Sequence, residues 1–281
     1  ACLFAVWASV VFSQSVCPVD LCNNKWSDRA IGVAAVVLLL QPVEWYHYIA
    51  NLINPAHRLP DLKVAEMYGE VADYTKAGNW RDFLLGNVTL GQKASFLWAV
   101  NAGRFVQTAG LFLLGFFIGR KQLFMTNEKN IVFWTKVLII SAISFAPLYT
   151  LKELVMENDP IVQQTVGTAF DMWQKLAFTL VLVASFILLY QHKNFSKAVA
   201  GLRFYGKMSL TNYISQSIIG AFIYFPIGLN LAPYCGYTLS LSVGFLIFLL
   251  QLKFCKWWLA RHKQGPLEYI WHKCTWIGTG K

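Results

Sequence analysis

The chain of 281 residues is too apolar for an ordinary soluble protein, because 56 % of its residues are hydrophobic and only 14 % are charged. Soluble domains carry about 25 % charged residues. The aromatic content of 16 % excludes a disordered chain, and six cysteines are too few for a disulfide scaffold. The net charge of +10 therefore indicates basic loops on one side of a membrane and predicts no nucleic acid partner.

Apolar runs recur along the whole sequence. A membrane-spanning helix needs about 20 mostly apolar residues. Seven segments qualify, at residues 1–16, 29–51, 96–119, 130–151, 168–191, 208–228 and 233–254. Because the chain starts with Ala1 inside an apolar run, we expect it to lack the N-terminal part of a longer protein. We predict an all-α, polytopic helical membrane protein with about seven transmembrane helices, in which residues 1–281 form one integral-membrane domain.

The distribution of basic residues predicts the orientation of these helices. If the C-terminus is cytoplasmic, 15 of the 24 Lys and Arg residues lie in cytoplasmic segments, six lie outside and three lie within spans. This asymmetry follows the positive-inside rule. Residues 253–281 then form a cytoplasmic C-terminal tail, and residues 52–95 form an outer loop. The spacing of Val64, Met67 and Val71 predicts an amphipathic helix in that loop.

Ionisable residues inside spans are costly and are functional candidates by default. Glu44 and His47 are three residues apart on the second span, which suits a general acid and a general base. They are our candidates for catalytic residues. The alternative is an interfacial pair within the aromatic belt formed by Trp45, Tyr46 and Tyr48.

Arg104 lies deep in the third span, with Gln107 three residues later on the same face. An arginine can hold a carboxylate or a phosphate through two parallel hydrogen bonds. Its partner here is Glu44, Asp171 or a substrate. Asp171 and Lys175 are spaced four residues apart, which predicts an ion pair along one helix.

The sixth span carries a polar stripe. Ser209, Asn212 and Gln216 share one helical face, with Tyr213 beside them. Such a stripe either forms hydrogen bonds between helices or lines a pocket. No group of residues has the spacing of a metal site, so we predict no metal.

Three segments carry a family resemblance: GRFVQTAGLFLLGFFIGR (103–120), GKMSLTNYISQS (206–217) and GPLEYIW (265–271). With this order and spacing, the chain from about residue 29 onward resembles the YeiB-like family of bacterial inner-membrane proteins, a domain of unknown function. That family is similar to the transmembrane acyltransferases, which include heparan-alpha-glucosaminide N-acetyltransferase. The resemblance implies a multi-pass bundle in the bacterial cytoplasmic (inner) membrane. It also implies acyl transfer from cytoplasmic acyl-CoA to a saccharide or another envelope acceptor.

On this hypothesis the basic inner face binds the phosphates of CoA. Arg120, Arg203 and Lys207 are the expected contacts. Asn212 and Gln216 would line the path through the membrane, and Arg104 with Glu44 would lie near the acceptor. The related families carry an LDxLRG-like motif and a catalytic histidine in an N-terminal helix. This sequence contains neither, so no residue inherits that histidine's role.

Two other functions remain open at this stage. The protein could be a transporter or permease for a small polar solute, with Arg104, Glu44 and Asp171 along its path. The sequence shows neither an inverted repeat nor a pair of broken helices at matching positions, which many transporters contain. The protein could instead be a structural partner in an envelope complex, and it could form oligomers in either case.

Overall fold

A computed structural model describes residues 27–275, except for residues 58, 60, 61 and 77. Of these described residues, 81 % are helical and none is in a strand. The predicted all-α class is therefore confirmed. The predicted first span, residues 1–16, lies outside the described residues.

The helices follow one another with short connections. In chain order they are α1 (Asp28–Leu39), α2 (Pro42–Ile53), α3 (Val64–Lys76), α4 (Trp80–Asn101), α5 (Arg104–Arg120), α6 (Glu128–Met156), α7 (Pro160–Tyr190), α8 (Lys193–Val199), α9 (Leu202–Lys207), α10 (Ser209–Tyr224), α11 (Tyr237–Leu259) and α12 (Pro266–Thr275). Helices α4 and α7 each contain one π-helical turn, at Asn87–Gly91 and Gln163–Gly167.

Among the described residues, three helices are long and apolar enough to cross a membrane: α6, α7 and α11. The pairs α1–α2 and α4–α5 are each bent by more than 40° at a short break, and counting each pair as one span raises the total to five. The predicted 208–228 span corresponds to α10, which has 16 residues. Helix α10 ends before Phe225 because Pro226 follows, and a proline disfavours helical geometry in the residue before it. The described residues thus give three to five spans rather than seven.

The chain forms two compact units. The first unit contains the residues up to Leu62 together with Phe96–Ser196. Its apolar core includes Ile118 of α5, Trp134 of α6 and Ala184 of α7. The Trp134 indole N–H donates to the Leu123 carbonyl oxygen at 2.8 Å, so this large buried side chain leaves no donor unsatisfied.

Within the first unit, α1 packs closely on α5 at Gly110. A Cβ at this position would lie 3.0 Å from Leu39 Cγ and 3.2 Å from Leu38 Cβ. A small residue therefore allows the two helices to approach each other, as is common where membrane helices pack.

The second unit contains Lys63–Ser95 and Lys197–Lys281. In its first part the Tyr74 ring of α3 lies against two glycines of α4. A Cβ at Gly86 would lie 2.5 Å from Tyr74 Cγ, and one at Gly91 would lie 2.7 Å from the Tyr74 hydroxyl. Burial raises the pKa of that hydroxyl above its ordinary value. The second part of this unit, α9 to α12, holds most of the polar groups described below.

Candidate functional site

Two helix breaks meet in the first unit. Gln41 separates α1 from α2 and is left-handed, with φ 58° and ψ 59°. Gly103 separates α4 from α5 and has φ 58°. Pro42 explains the first break, since a proline disfavours helical geometry in the preceding residue. Gly103 tolerates positive φ because it has no Cβ. The described residues therefore contain two bent helix pairs, although the sequence shows no broken helices at matching positions.

Polar side chains surround this point, which we call the break junction (Gln41, Glu44, Gly103, Arg104 and Gln107). A Cβ at Gly103 would lie 2.7 Å from Glu44 Oε1 and 3.5 Å from Gln41 Oε1. Gln41, Glu44 and Gln107 are only 1 %, 7 % and 4 % exposed. The structure thus brings together Glu44, Arg104 and Gln107, which the sequence singled out separately.

Hydrogen bonds order only part of the break junction. Arg104 Nη1 donates to Gln107 Oε1 at 3.0 Å, and the guanidinium lies 5.4 Å from the centroid of the Trp98 ring. Three buried atoms here have no hydrogen-bond partner among the described residues: the amide nitrogen and oxygen of Gln41, and Nε of Arg104. The Trp173 indole of α7 donates to the Leu39 carbonyl oxygen at 2.8 Å and so fixes the chain beside the first break.

His47 and Asp171, which the sequence also singled out, lie in pairs away from the break junction. His47 Nδ1 lies 3.2 Å from His57 Nε2, and the two rings stack, so the structure pairs His47 with a second histidine. Asp171 binds Lys152 at 3.4 Å and also binds Lys175, which confirms the predicted ion pair along the helix. Within the described ranges, Arg104 forms an ion pair with neither of its two expected carboxylates.

The polar stripe of α10 forms a network with α9 and α11. Gln216 Nε2 donates to the Tyr205 hydroxyl at 2.6 Å and to Gln251 Oε1 at 3.0 Å. Asn212 Nδ2 donates to the Tyr205 carbonyl oxygen at 3.0 Å and contacts Cys255 Sγ at 3.3 Å. Asn212 and Gln216 therefore connect helices in the structure. Ser209 is buried beside them, and Tyr213 is exposed.

A carboxylate from α12 stabilises the start of α10. Glu268 Oε1 accepts a hydrogen bond from the Thr211 backbone N–H at 3.0 Å, and Glu268 Oε2 accepts one from the Thr211 hydroxyl at 2.5 Å. The same hydroxyl accepts from the Leu267 N–H at 3.2 Å. A Cβ at Gly265 would collide with the Glu268 carboxylate. We call this arrangement the Glu268 clamp. It brings the GKMSLTNYISQS and GPLEYIW segments into direct contact.

A basic cleft of about 440 Å³ lies where α9 meets the end of α11. Its lining includes Lys207, Arg261, His262 and Lys263. The His262 ring stacks on Trp258 with centroids 4.1 Å apart.

The structure distributes the three predicted CoA contacts over different places. Lys207 lines the basic cleft. Arg203 lies four residues earlier on α9 and is exposed. Arg120 belongs to the first unit, where its Nε lies 2.9 Å from Asp28 Oδ1.

Sequence reasoning missed several residues of these sites. Neither Gln41 nor Gly103 is among the candidate residues predicted from the sequence. A proline inside an apolar run and a glycine within a predicted span are both signals of a helix break. Arg261 and Lys263 lie in the predicted cytoplasmic C-terminal tail, but they are not among the three residues expected to contact CoA. Glu268 was noted as part of a motif, but its contact with Thr211 joins residues 57 positions apart, which no local pattern reveals.

Comparison with known proteins identifies the family to which the second half of the chain is similar. Residues 118–278, more than half of the sequence, match the family described as "Protein of unknown function (DUF418)". The chain belongs to the DUF418 family. The matched region contains the α9–α11 network, the Glu268 clamp and the basic cleft. The whole break junction precedes it, since all five of its residues lie before residue 118.

Two curated relatives align with shorter stretches. The "Uncharacterized protein YxaH" of Bacillus subtilis (strain 168) is 25 % identical over 95 residues, which cover 34 % of this chain and 24 % of YxaH. The "Uncharacterized 39.9 kDa protein in amylase 3'region" of Bacillus acidopullulyticus is 37 % identical over 91 residues, covering 32 % of this chain and 25 % of that protein. The chain thus spans about a quarter of the length of these relatives. No solved structure matches.

Proposed function

We propose that this DUF418 protein is a membrane-bound acyltransferase that moves an acyl group from cytoplasmic acyl-CoA to a saccharide or another acceptor in the envelope. The observation that carries the proposal is the basic cleft. In the part of the chain that the structure describes, none of Lys207, Arg261 and Lys263 is in an ion pair. Arg261 Nη1 donates to the Trp257 carbonyl oxygen at 3.4 Å, and its guanidinium has further N–H donors. Together with the two lysines it could bind the phosphates of a CoA thioester.

The cleft volume of about 440 Å³ suits the phosphate-bearing end of CoA, while the acyl end would extend beyond it. In the reaction, an acceptor hydroxyl or amine would attack the thioester carbonyl and CoA would leave as its thiol. The acceptor's proton needs a base. The described geometry assigns no base, and Glu44 and His47 remain the catalytic candidates from the sequence. The resemblance to the transmembrane acyltransferases supports the same reaction class.

The proposal includes a location in the bacterial cytoplasmic membrane, with several passes and a cytoplasmic C-terminus. The excess of Lys and Arg in segments on that side supports this orientation. The basic cleft would then face the compartment that holds acyl-CoA. The full count of seven crossings needs both residues 1–16 and α10. At about 1.5 Å per residue, the 16 residues of α10 extend about 24 Å, somewhat short of a bilayer core of about 30 Å.

Acetyl-CoA binding to the full chain in lipid nanodiscs tests the proposal. We expect Lys207→Glu and Arg261→Glu each to weaken binding at least tenfold and to reduce its salt dependence. The exposed Lys129→Glu on α6 is the matched control and should leave binding unchanged. Transfer of labelled acyl groups to added saccharides then tests catalysis. If acetyl-CoA does not bind, or if the cleft variants bind it as tightly as the wild type, the proposal is wrong.

A second function is favoured by a different observation. Broken helices that meet inside a bundle form the solute sites of many transporters, and here the breaks at Gln41 and Gly103 lie side by side. A permease for a small polar solute would use this point. Solute uptake into proteoliposomes in the absence of acyl-CoA would favour transport over acyl transfer.

A further inference from the structure

We propose that the break junction binds a small zwitterionic solute, of the class of the short α-amino acids, with its carboxylate at Arg104 and its ammonium group at Glu44. The inference concerns binding alone and goes beyond the proposed acyl transfer. It rests on residues that all precede the DUF418 match and on none of the cations in the basic cleft, and it names the solute class for the second candidate function at the same junction.

Two helix starts supply positive potential at this point. Helix α2 has 12 residues and α5 has 17, and neither start has a side-chain cap in the described chain. The free N–H groups of a helix start carry a partial positive charge that favours anions. Arg104 lies in the first turn of α5 and adds a full positive charge, so the start of α5 suits a carboxylate. The first turn of α2 already holds the carboxylate of Glu44.

Gln41 is the observation that points to a ligand. Its side chain is 1 % exposed, and neither its amide oxygen nor its amide nitrogen has a partner among the described residues. Its oxygen faces the second break, 3.5 Å from the position of a Cβ on Gly103. A buried amide without hydrogen-bond partners is energetically unfavourable. A bound solute with donors and acceptors of its own would remove that cost.

The charges at the junction select the class of solute. Glu44 is 7 % exposed, and in the described ranges it forms no ion pair with Arg104 or any other cation. Buried charges normally have partners. A solute that carries both charges would give each residue a partner of opposite charge, whereas a neutral sugar would offer hydrogen bonds but no opposite charge.

The aromatic ring at the site also argues against a sugar. The guanidinium of Arg104 already lies over the Trp98 ring, so this ring face is not open for stacking with a sugar.

Binding of labelled L-alanine to the full chain in nanodiscs tests the inference, with propionate, ethylamine and glucose as competitors. We expect glycine and L-alanine to compete, and the other three compounds to compete at least tenfold more weakly. Glu44→Gln and Arg104→Gln should each weaken L-alanine binding at least tenfold. The matched control is Glu153→Gln, which removes an exposed carboxylate of α6 and should leave binding unchanged.

Two further variants separate binding from folding. Gln41→Ala removes an amide that has no partner, so the ligand-free protein should melt at an unchanged or higher temperature while L-alanine binds more weakly. Lys207→Glu in the basic cleft should leave L-alanine binding unchanged, which distinguishes this site from the CoA site. Three results would each overturn the inference: no L-alanine binding, equal competition by propionate or glucose, or wild-type affinity in the Glu44, Arg104 and Gln41 variants.

Discussion

Removing the carboxylate of the Glu268 clamp should destabilise the protein strongly. The two carboxylate oxygens of Glu268 accept hydrogen bonds from the backbone N–H and the hydroxyl of Thr211, at 3.0 Å and 2.5 Å. Thr211 is buried in the first turn of α10, where the backbone N–H groups have no partner within their own helix. In Glu268→Ala both donors lose their acceptor.

The expected loss follows from these two contacts. Removing a helix cap costs about 0.5–2 kcal/mol, and a hydrogen bond to a charged group contributes about 1.5–3 kcal/mol. We therefore expect Glu268→Ala to lower the free energy of unfolding by about 3 kcal/mol. Thr211→Val removes only the hydroxyl and should cost less.

The assay is unfolding of the full chain in mixed micelles, followed by tryptophan fluorescence as the fraction of denaturing detergent rises. A double-mutant cycle of Glu268→Ala with Thr211→Val should give a coupling energy of about 1 kcal/mol or more. The matched control is Glu66→Ala, which breaks an exposed ion pair with Lys63 and should cost less than about 1 kcal/mol. A Glu268→Ala protein as stable as the control, or a coupling energy near zero, would refute the reasoning.

Further predictions concern other packed or polar positions, each measured in the same unfolding assay. Gly265→Ala places a Cβ on the clamp carboxylate and should cost as much as losing that carboxylate; wild-type stability would contradict the clamp geometry. Gly110→Leu overfills the contact between α1 and α5 and should cost about 1–3 kcal/mol, whereas Gly244→Leu, which has open space, is the control. Trp173→Phe leaves the Leu39 carbonyl oxygen without its indole donor and should cost about 1–3 kcal/mol. Burial raises the pKa of the Tyr205 hydroxyl, so its contribution to stability is complete below pH about 10 and falls as the pH rises further. Tyr205→Phe should therefore make the alkaline loss of stability smaller than in the wild type.

Local features of the sequence predicted local features of the structure well. The helical class and the ion pair between Asp171 and Lys175 both depend on residues within a few positions of one another. Hydrophobic runs and i,i+4 spacings encode such features directly. The predicted count of seven spans was less successful, because an apolar run does not show where a helix breaks or ends early, as α10 does before Pro226.

The break junction and the Glu268 clamp depend on contacts between residues that are far apart in the sequence. Nothing in the sequence near Gln41 indicates that it meets Gly103, and nothing near Glu268 indicates that its carboxylate binds Thr211. Such contacts arise when whole helices pack, and packing depends on side-chain volumes and helix positions across the fold. The sequence by itself determined an apolar, all-helical chain with polar groups inside its spans. Only the tertiary structure decided which of those groups lie together, because the packing of the helices sets their hydrogen bonds. It leaves Gln41 without a partner among the described residues and places Asn212 within bonding distance of the Tyr205 carbonyl oxygen.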